Sequence, residues 1–196
     1  MLQIGLTGNI GSGKTTVCKI FEILDVPVFY ADLRARALLD RKDVKEQVID
    51  VFGSQVVDKS GGLDRKALAA VVFNNKAMLD KLNAIIHPLV REDYNQWVSA
   101  HANQLYVIQE AAILFETGLA SRFDKVIVVA APLDVRIERV MKRDGVSREE
   151  VLHRAANQFD QEVLVSKADY LIYNDDRQLV IPRVLAIDHE LRSLQQ

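Results

Sequence analysis

The sequence predicts a three-layer α/β fold, a parallel sheet of five strands between helices, interrupted by a block of helices alone. Three observations predict it. Short apolar runs alternate with segments of helical periodicity, the pattern that builds parallel sheets. The first run is joined to its helix by a glycine-rich loop, Gly8-Asn9-Ile10-Gly11-Ser12-Gly13-Lys14-Thr15. From residue 40 to about 102 the strand signals vanish and only helical periodicity continues.

The first strand is Leu2-Gln3-Ile4-Gly5-Leu6, and Val17, Ile20, Phe21 and Leu24 mark the helix behind the loop. Between them the loop satisfies G-x-x-x-x-G-K-[ST], the phosphate-binding P-loop, in the strand–loop–helix setting the motif needs. Gly8, Gly11 and Gly13 let the main chain approach phosphate oxygens, and Asn9, Ser12 and Thr16 belong to the same cradle. The helix N-terminus adds oriented N–H groups and a positive dipole end. Lys14 reaches the β- and γ-phosphates, Thr15 offers a hydroxyl to Mg²⁺, and Thr16 reaches the α-phosphate. The motif predicts a binder of a nucleoside triphosphate.

Val26-Pro27-Val28-Phe29-Tyr30 reads as the second strand, followed by Ala31-Asp32. Asp32 stands where active-site groups gather in open parallel sheets, and also where a helix takes its N-cap; the sequence supports both roles. The helical block then carries stripes at Val44, Val48, Val51, Phe52, at Leu68, Val71, Val72, Phe73 behind an Asp64 cap, and at Leu79, Leu82, Ile85, Ile86. His87-Pro88 closes the third helix, and a further helix carries Val90, Tyr94, Trp97 and Val98. The block is longer than one crossover helix requires, which favours a substrate-binding insertion.

The sheet resumes at Leu105-Tyr106-Val107-Ile108-Gln109-Glu110, whose last residue is a carboxylate placed to orient Mg²⁺ or its water shell. Lys125 to Ala130 is the fourth strand. Pro132 admits a helix with Arg136, Arg139 and Arg143 on one face, ended by Gly145; Ser147-Arg148-Glu149-Glu150 forms a capping box for the next, which carries Arg154. A solvated face neutralised by Glu138, Glu149 and Glu150 is one reading of these arginines, and a lid that closes cations over a transferring phosphoryl group is the favoured one. Tyr170-Leu171-Ile172-Tyr173 is the fifth strand, with Asn174-Asp175 after it. A final helix runs through Leu179, Ile181, Val184, Ile187 and Leu191, with Pro182 near its start.

Composition sets the bounds. The 196 residues are 49% hydrophobic and 27% charged with a formal net charge of −2, as expected of an ordinary water-soluble chain and not of a broad nucleic-acid binder. The single cysteine, Cys18, excludes an internal disulfide framework and fits a reducing compartment. With no apolar stretch fit to span a bilayer, the expected location is cytoplasmic, with no membrane partner. No N-K-x-D base-reading motif is present, which disfavours a GTP-dependent switch. The state expected in solution is a monomer or weak homo-oligomer.

In order along the chain, the motifs resemble those of the dephospho-coenzyme A kinases. They are Gly5 to Thr16, Tyr30-Ala31-Asp32, Leu63-Asp64-Arg65, His87-Pro88 and Leu114-Phe115-Glu116. Arg139 and Arg143 follow ahead of Gly145-Val146-Ser147, then Arg154 to Gln158 and Ala168-Asp169-Tyr170 leading to Asn174. Three positions depart from the family pattern: Tyr30 replaces an aspartate, Glu110-Ala111-Ala112 stands where an aspartate and a proline are usual, and Asp175 replaces a glycine after Asn174. The resemblance implies transfer of the γ-phosphoryl group of ATP to the 3′-hydroxyl of dephospho-coenzyme A. It implies Asp32 as base and acceptor contact, Lys14 and Arg139 as catalytic cations, Arg143 on the nucleotide and His87 at the acceptor. Thr15 and Glu110 would hold Mg²⁺. It implies a nucleotide-binding core of residues 1–31, 104–135 and 165–196, an acceptor domain of 32–103 and a lid of 136–164. Another P-loop kinase, for a nucleoside monophosphate or other small molecule, is the alternative.

Overall fold

The computed structural model describes residues 1–73 and 75–195; of Phe73 only the backbone is described, so its place in the expected stripe lies outside the described side chains. In chain order the elements are β1 (Leu2–Thr7), α1 (Lys14–Ile23), β2 (Val28–Tyr30), α2 (Ala31–Leu38), α3 (Lys42–Phe52), α4 (Arg65–Phe73) and α5 (Lys76–Ala100). They continue with β3 (Tyr106–Glu110), β4 (Lys125–Ala130), α6 (Leu133–Asp144), α7 (Arg148–Ala155), α8 (Gln161–Ser166), β5 (Tyr170–Tyr173) and α9 (Val180–Ser193). The chain divides into two compact units, residues 1–30 with 100–196, and residues 31–99. Among the described residues no helix is long and apolar enough to cross a membrane.

In the first unit five strands form one sheet in the order β2-β3-β1-β4-β5, every pairing parallel. The register sets Leu6 opposite Glu110 and Ile127, and Tyr30 opposite Glu110, so the carboxyl ends of β1, β2 and β3 finish level. One sheet face presents Ile4, Leu6, Tyr106, Ile108, Ile127, Val129 and Ile172 to Val17, Cys18 and Phe21 of α1 and to Val184, Ile187 and Leu191 of α9, all buried. Leu114 and Phe123 press on the other face, 2.9 Å from where a Cβ on Gly5 would sit. Strands covered on both sides are mostly apolar, which is why β3 and β4 lack polar alternation; β3 buries Gln109 and Glu110 only at its carboxyl end. Leu179 and Ile181, expected in the apolar stripe of the last helix, are exposed; Leu179 precedes α9 and Ile181 lies in its first turn, off the packed face. Asp188 ties this face together, accepting from the Tyr106 hydroxyl at 2.6 Å and from Arg192 Nε at 2.8 Å, while Arg192 also donates to the Leu24 carbonyl that ends α1.

The second unit is helical and has its own core of Val44, Val48, Phe52, Val56, Leu63, Leu68 and Ile86. Val51, expected in the α3 stripe, turns outward at 45% exposure. The Asp64 carboxylate accepts from the N–H groups of Lys66 and Ala67, as a cap should. The sequence reading breaks the chain at His87-Pro88, yet α5 runs unbroken for 25 residues with Pro88 inside. Proline there leaves the Ala84 carbonyl without its helical donor. Packing on both sides of it, by Ile86 and by Tyr94, holds the helix together.

Candidate active site

The loop after β1 is braced from within and from outside. Ser12 N–H donates to the Asn9 carbonyl at 3.1 Å, closing a tight turn in which Gly11 holds φ +79°. A positive φ at that position is what glycine supplies at no steric cost. A side chain on Gly11 would also strike the Arg136 backbone of α6, and one on Gly13 the Asn174 side chain. Lys14 Nζ donates to the Gly8 carbonyl at 2.8 Å, curling over the loop. α1 begins at Lys14, so its N-terminal amides and dipole end open onto the loop.

A space of about 290 Å³ lies against this loop, lined by Gly11, Gly13, Lys14, Thr15, Thr16, Arg139, Val140 and Arg143. Seven of the residues expected at the nucleotide therefore surround one cavity. Gly8, Asn9 and Ser12, also expected at the nucleotide, are not among its lining residues: Asn9 and Ser12 are buried, and the Asn9 amide donates to the Phe159 carbonyl at 2.8 Å. The arginine helix splits in function. Arg136 is buried and its Nε donates to the Ala131 carbonyl at 3.0 Å, so it belongs to the scaffold. Arg139 points at the loop, donating to Asn174 Oδ1 and the Gly11 carbonyl, both at 3.4 Å, and pairing with Asp176 at 2.6 Å. Arg143 pairs with Asp144, which also receives Arg154. The ion-pair partners of Arg139, Arg143, Arg148 and Arg154 are thus aspartates, Asp134 holding Arg148, and not the glutamates that the solvated-face reading names. Arg143 and Arg154 hold the Asp144 carboxyl below its ordinary range, Arg143 contributing the largest effect.

Glu110 ends β3 and is buried to 8% exposure, on the α1 side of the sheet with Leu6 and Tyr30 as neighbours. Its charge reaches the Cys18 thiol, whose pKa is pushed up by burial first and then by Glu110 and Glu22, against Lys14. Tyr30, in place of an acid, is likewise pushed up, mainly by burial and with a hydrogen bond to Glu22. Among the described residues no three His, Cys, Asp or Glu side chains form a ligand cluster. One hydroxyl and one buried carboxylate suit a Mg²⁺ ion that keeps waters and phosphate oxygens as most of its ligands.

Two residues escape the sequence reading as site residues. Asn174 donates to the Ser12 carbonyl at 2.9 Å and accepts from Arg139, bridging the loop to the arginine helix. Gln158 accepts from Ile10 N–H at 2.7 Å and donates to the Ala112 carbonyl at 3.0 Å. Both appear in the sequence as members of family motifs, but nothing local marks their contacts with residues about 150 positions away.

In the helical unit Asp32 is the second residue of α2, in its first turn and exposed, so it is not the N-cap. His87 lies within α5; partial desolvation, then the charge of Arg91, lower its pKa from 6.5. A separate open space of about 330 Å³ is lined by Arg34, Ala37, Leu38, Arg41, Leu89, Glu92, Asp93 and Gln96, and neither Asp32 nor His87 is among its lining residues.

A parallel sheet of this order, with a glycine loop after its central strand and arginines set across the loop's cavity, defines a P-loop kinase. Solved structures of shikimate kinases share the fold, for example that from Acinetobacter baumannii at TM-score 0.53 and 13% identity. The chain belongs to the dephospho-CoA kinase family, whose model matches residues 2–179. The dephospho-CoA kinase of Bacillus cereus is 41% identical over 175 residues, 88% of each chain, and that of Bacteroides fragilis 35% over 188 residues, 95% of this chain and 91% of the relative. A Thermus thermophilus protein of known structure is 36% identical with TM-score 0.86, over 98% of this chain and 97% of its own. The Campylobacter jejuni dephospho-CoA kinase structure is 26% identical with TM-score 0.71, over 99% and 98%.

Proposed function

We propose that this kinase transfers the γ-phosphoryl group of ATP to the ribose 3′-hydroxyl of dephospho-coenzyme A, giving coenzyme A and ADP, the last step of coenzyme A biosynthesis. The observation that carries the reading is the cavity in which Lys14, Thr15, Arg139 and Arg143 converge on the glycine loop, in a chain of this family. Loop amides and the α1 dipole bind the phosphates, with Lys14 on the β- and γ-groups and Thr16 near the α-group. Arg139 gathers charge on the transferring group, and Arg143 contacts the nucleotide. Thr15 would hold Mg²⁺, with Glu110 behind its waters; the bound ion would neutralise phosphate charge. Asp32 accepts the proton of the attacking hydroxyl and aligns its oxygen. Residues 32–103 serve as the acceptor domain, with His87 lining it, and residues 136–164 as a lid that excludes water. Core residues 1–31, 104–135 and 165–196 hold the nucleotide. The protein works in the cytoplasm as a monomer or weak homo-oligomer.

The test is ADP release from ATP and Mg²⁺, offered dephospho-coenzyme A, adenosine monophosphate, cytidine monophosphate or no acceptor. Release is expected with dephospho-coenzyme A alone. In Asp32→Asn, kcat is expected to fall by about 10² or more with the KM for ATP within about twofold. Wild-type turnover in that variant would remove Asp32 as base, and release with a nucleoside monophosphate would remove the acceptor assignment.

A further inference from the structure

We infer that Gln158 is a positioning residue for the triphosphate, fixing the peptide between Asn9 and Ile10. The inference rests on the reading of the glycine loop as the ATP phosphate site. That peptide is held at both ends: Ile10 N–H donates to Gln158 Oε1 at 2.7 Å, and the Asn9 carbonyl accepts from Ser12 N–H at 3.1 Å. The next residue repeats the grip, since the Phe159 carbonyl accepts from the Asn9 side chain at 2.8 Å and Phe159 N–H donates to Glu116 Oε1 at 2.9 Å. Two consecutive residues of the α7–α8 link therefore seize two consecutive residues of the loop.

The orientation matters because the loop recognises an anion through its peptides. A peptide that turned over would set its carbonyl against Gln158 Oε1 and its N–H against Ser12 N–H, losing both bonds and the turn that shapes the cradle. With Ile10 N–H and Ser12 N–H committed to the fold, the turn keeps one shape before ATP arrives, and no binding energy is spent on arranging it. Glutamine suits the position because its planar head must accept on one side and donate on the other. The donated bond goes to Ala112, two residues beyond Glu110, so one amide spans from the phosphate loop to the segment that follows the metal carboxylate. Glutamate would accept from Ile10 but repel the Ala112 carbonyl, and alanine would do neither.

The experiment compares Gln158→Ala, Gln158→Glu and Gln158→Asn with Asn157→Ala, whose side chain turns back to the His153 carbonyl. The KM for ATP, KM for dephospho-coenzyme A, kcat and Tm are measured for each. In Gln158→Ala and Gln158→Glu the KM for ATP is expected to rise about fivefold or more, with the acceptor KM within about twofold and Asn157→Ala unchanged. A KM for ATP within about twofold of the parent overturns the inference, as does a parallel rise in both KM values that tracks a lower Tm. Hydrogen exchange on the parent protein, read at Ile10 without ATP, needs no variant. Protection is expected, and exchange as fast as in an open loop overturns the inference. Failure of the parent to bind ATP would instead strike the reading of the loop.

Discussion

Arg139 takes part in two competing relations: it pairs with the exposed Asp176 at 2.6 Å and it faces the cavity where the phosphates are proposed to lie. Exposed ion pairs contribute about 0.2–1 kcal/mol, so a phosphate can displace this one. Asp176→Asn is accordingly expected to lower the KM for ATP, by at most about fivefold; a raised KM would make Asp176 a support and not a competitor. Asn174→Ala should act oppositely. It removes the strut between Ser12 and Arg139, and the loss of about 1–2 kcal/mol of hydrogen bonding should raise the KM for ATP about tenfold, measured in the same assay. At this scale the glycine loop was legible in the sequence because its chemistry demands fixed residue types at fixed spacing. Asn174 and Gln158 were not, since an amide side chain is chemically ordinary until the fold brings it to its partner.

Elements follow from local rules where those rules act alone, and depart from them where packing intervenes. The Ser147–Glu150 capping box is formed as its sequence pattern requires, and Ser147→Ala should cost about 1 kcal/mol in urea unfolding. Ser147 holds the Glu150 carboxyl below its ordinary 4.5, through its backbone N–H first and its hydroxyl next. A depressed folded-state value means the contribution is complete above pH 4.5 and fades as pH falls through that lower value. The stability difference between the parent and Glu150→Ala should therefore close on acidification below pH 4.5; a constant difference would show that the carboxylate adds nothing. Pro88 is the opposite case, a helix breaker overridden by apolar contacts within its own unit. Proline in a helix interior is about 3 kcal/mol less favourable than alanine, so Pro88→Ala should raise the unfolding midpoint. A lower midpoint would mean that α5 needs the bend.

Across the molecule, two separate cores imply separable failures. Phe52→Ala, in the core of residues 31–99, should lose about 3–5 kcal/mol there and raise the acceptor KM while the affinity for ATP holds. Equal loss of both would show that the two units stand or fall together. The five strands and their parallel sense were legible from apolar runs, and the helical unit from the absence of such runs. The sheet order was not, because strand neighbours are chosen by long-range packing that no local pattern records. That order also dictates a schedule. β1 lies between β3 and β4, so during synthesis both its edges stay unpaired until residues 106–110 and 125–130 emerge, on the order of ten seconds after its own. The intervening residues 31–99 make their contacts locally and are free to fold meanwhile. On the ribosome the helical unit can thus form first, while the strand that leads into the phosphate loop waits as an open edge, exposed to mispairing with other chains.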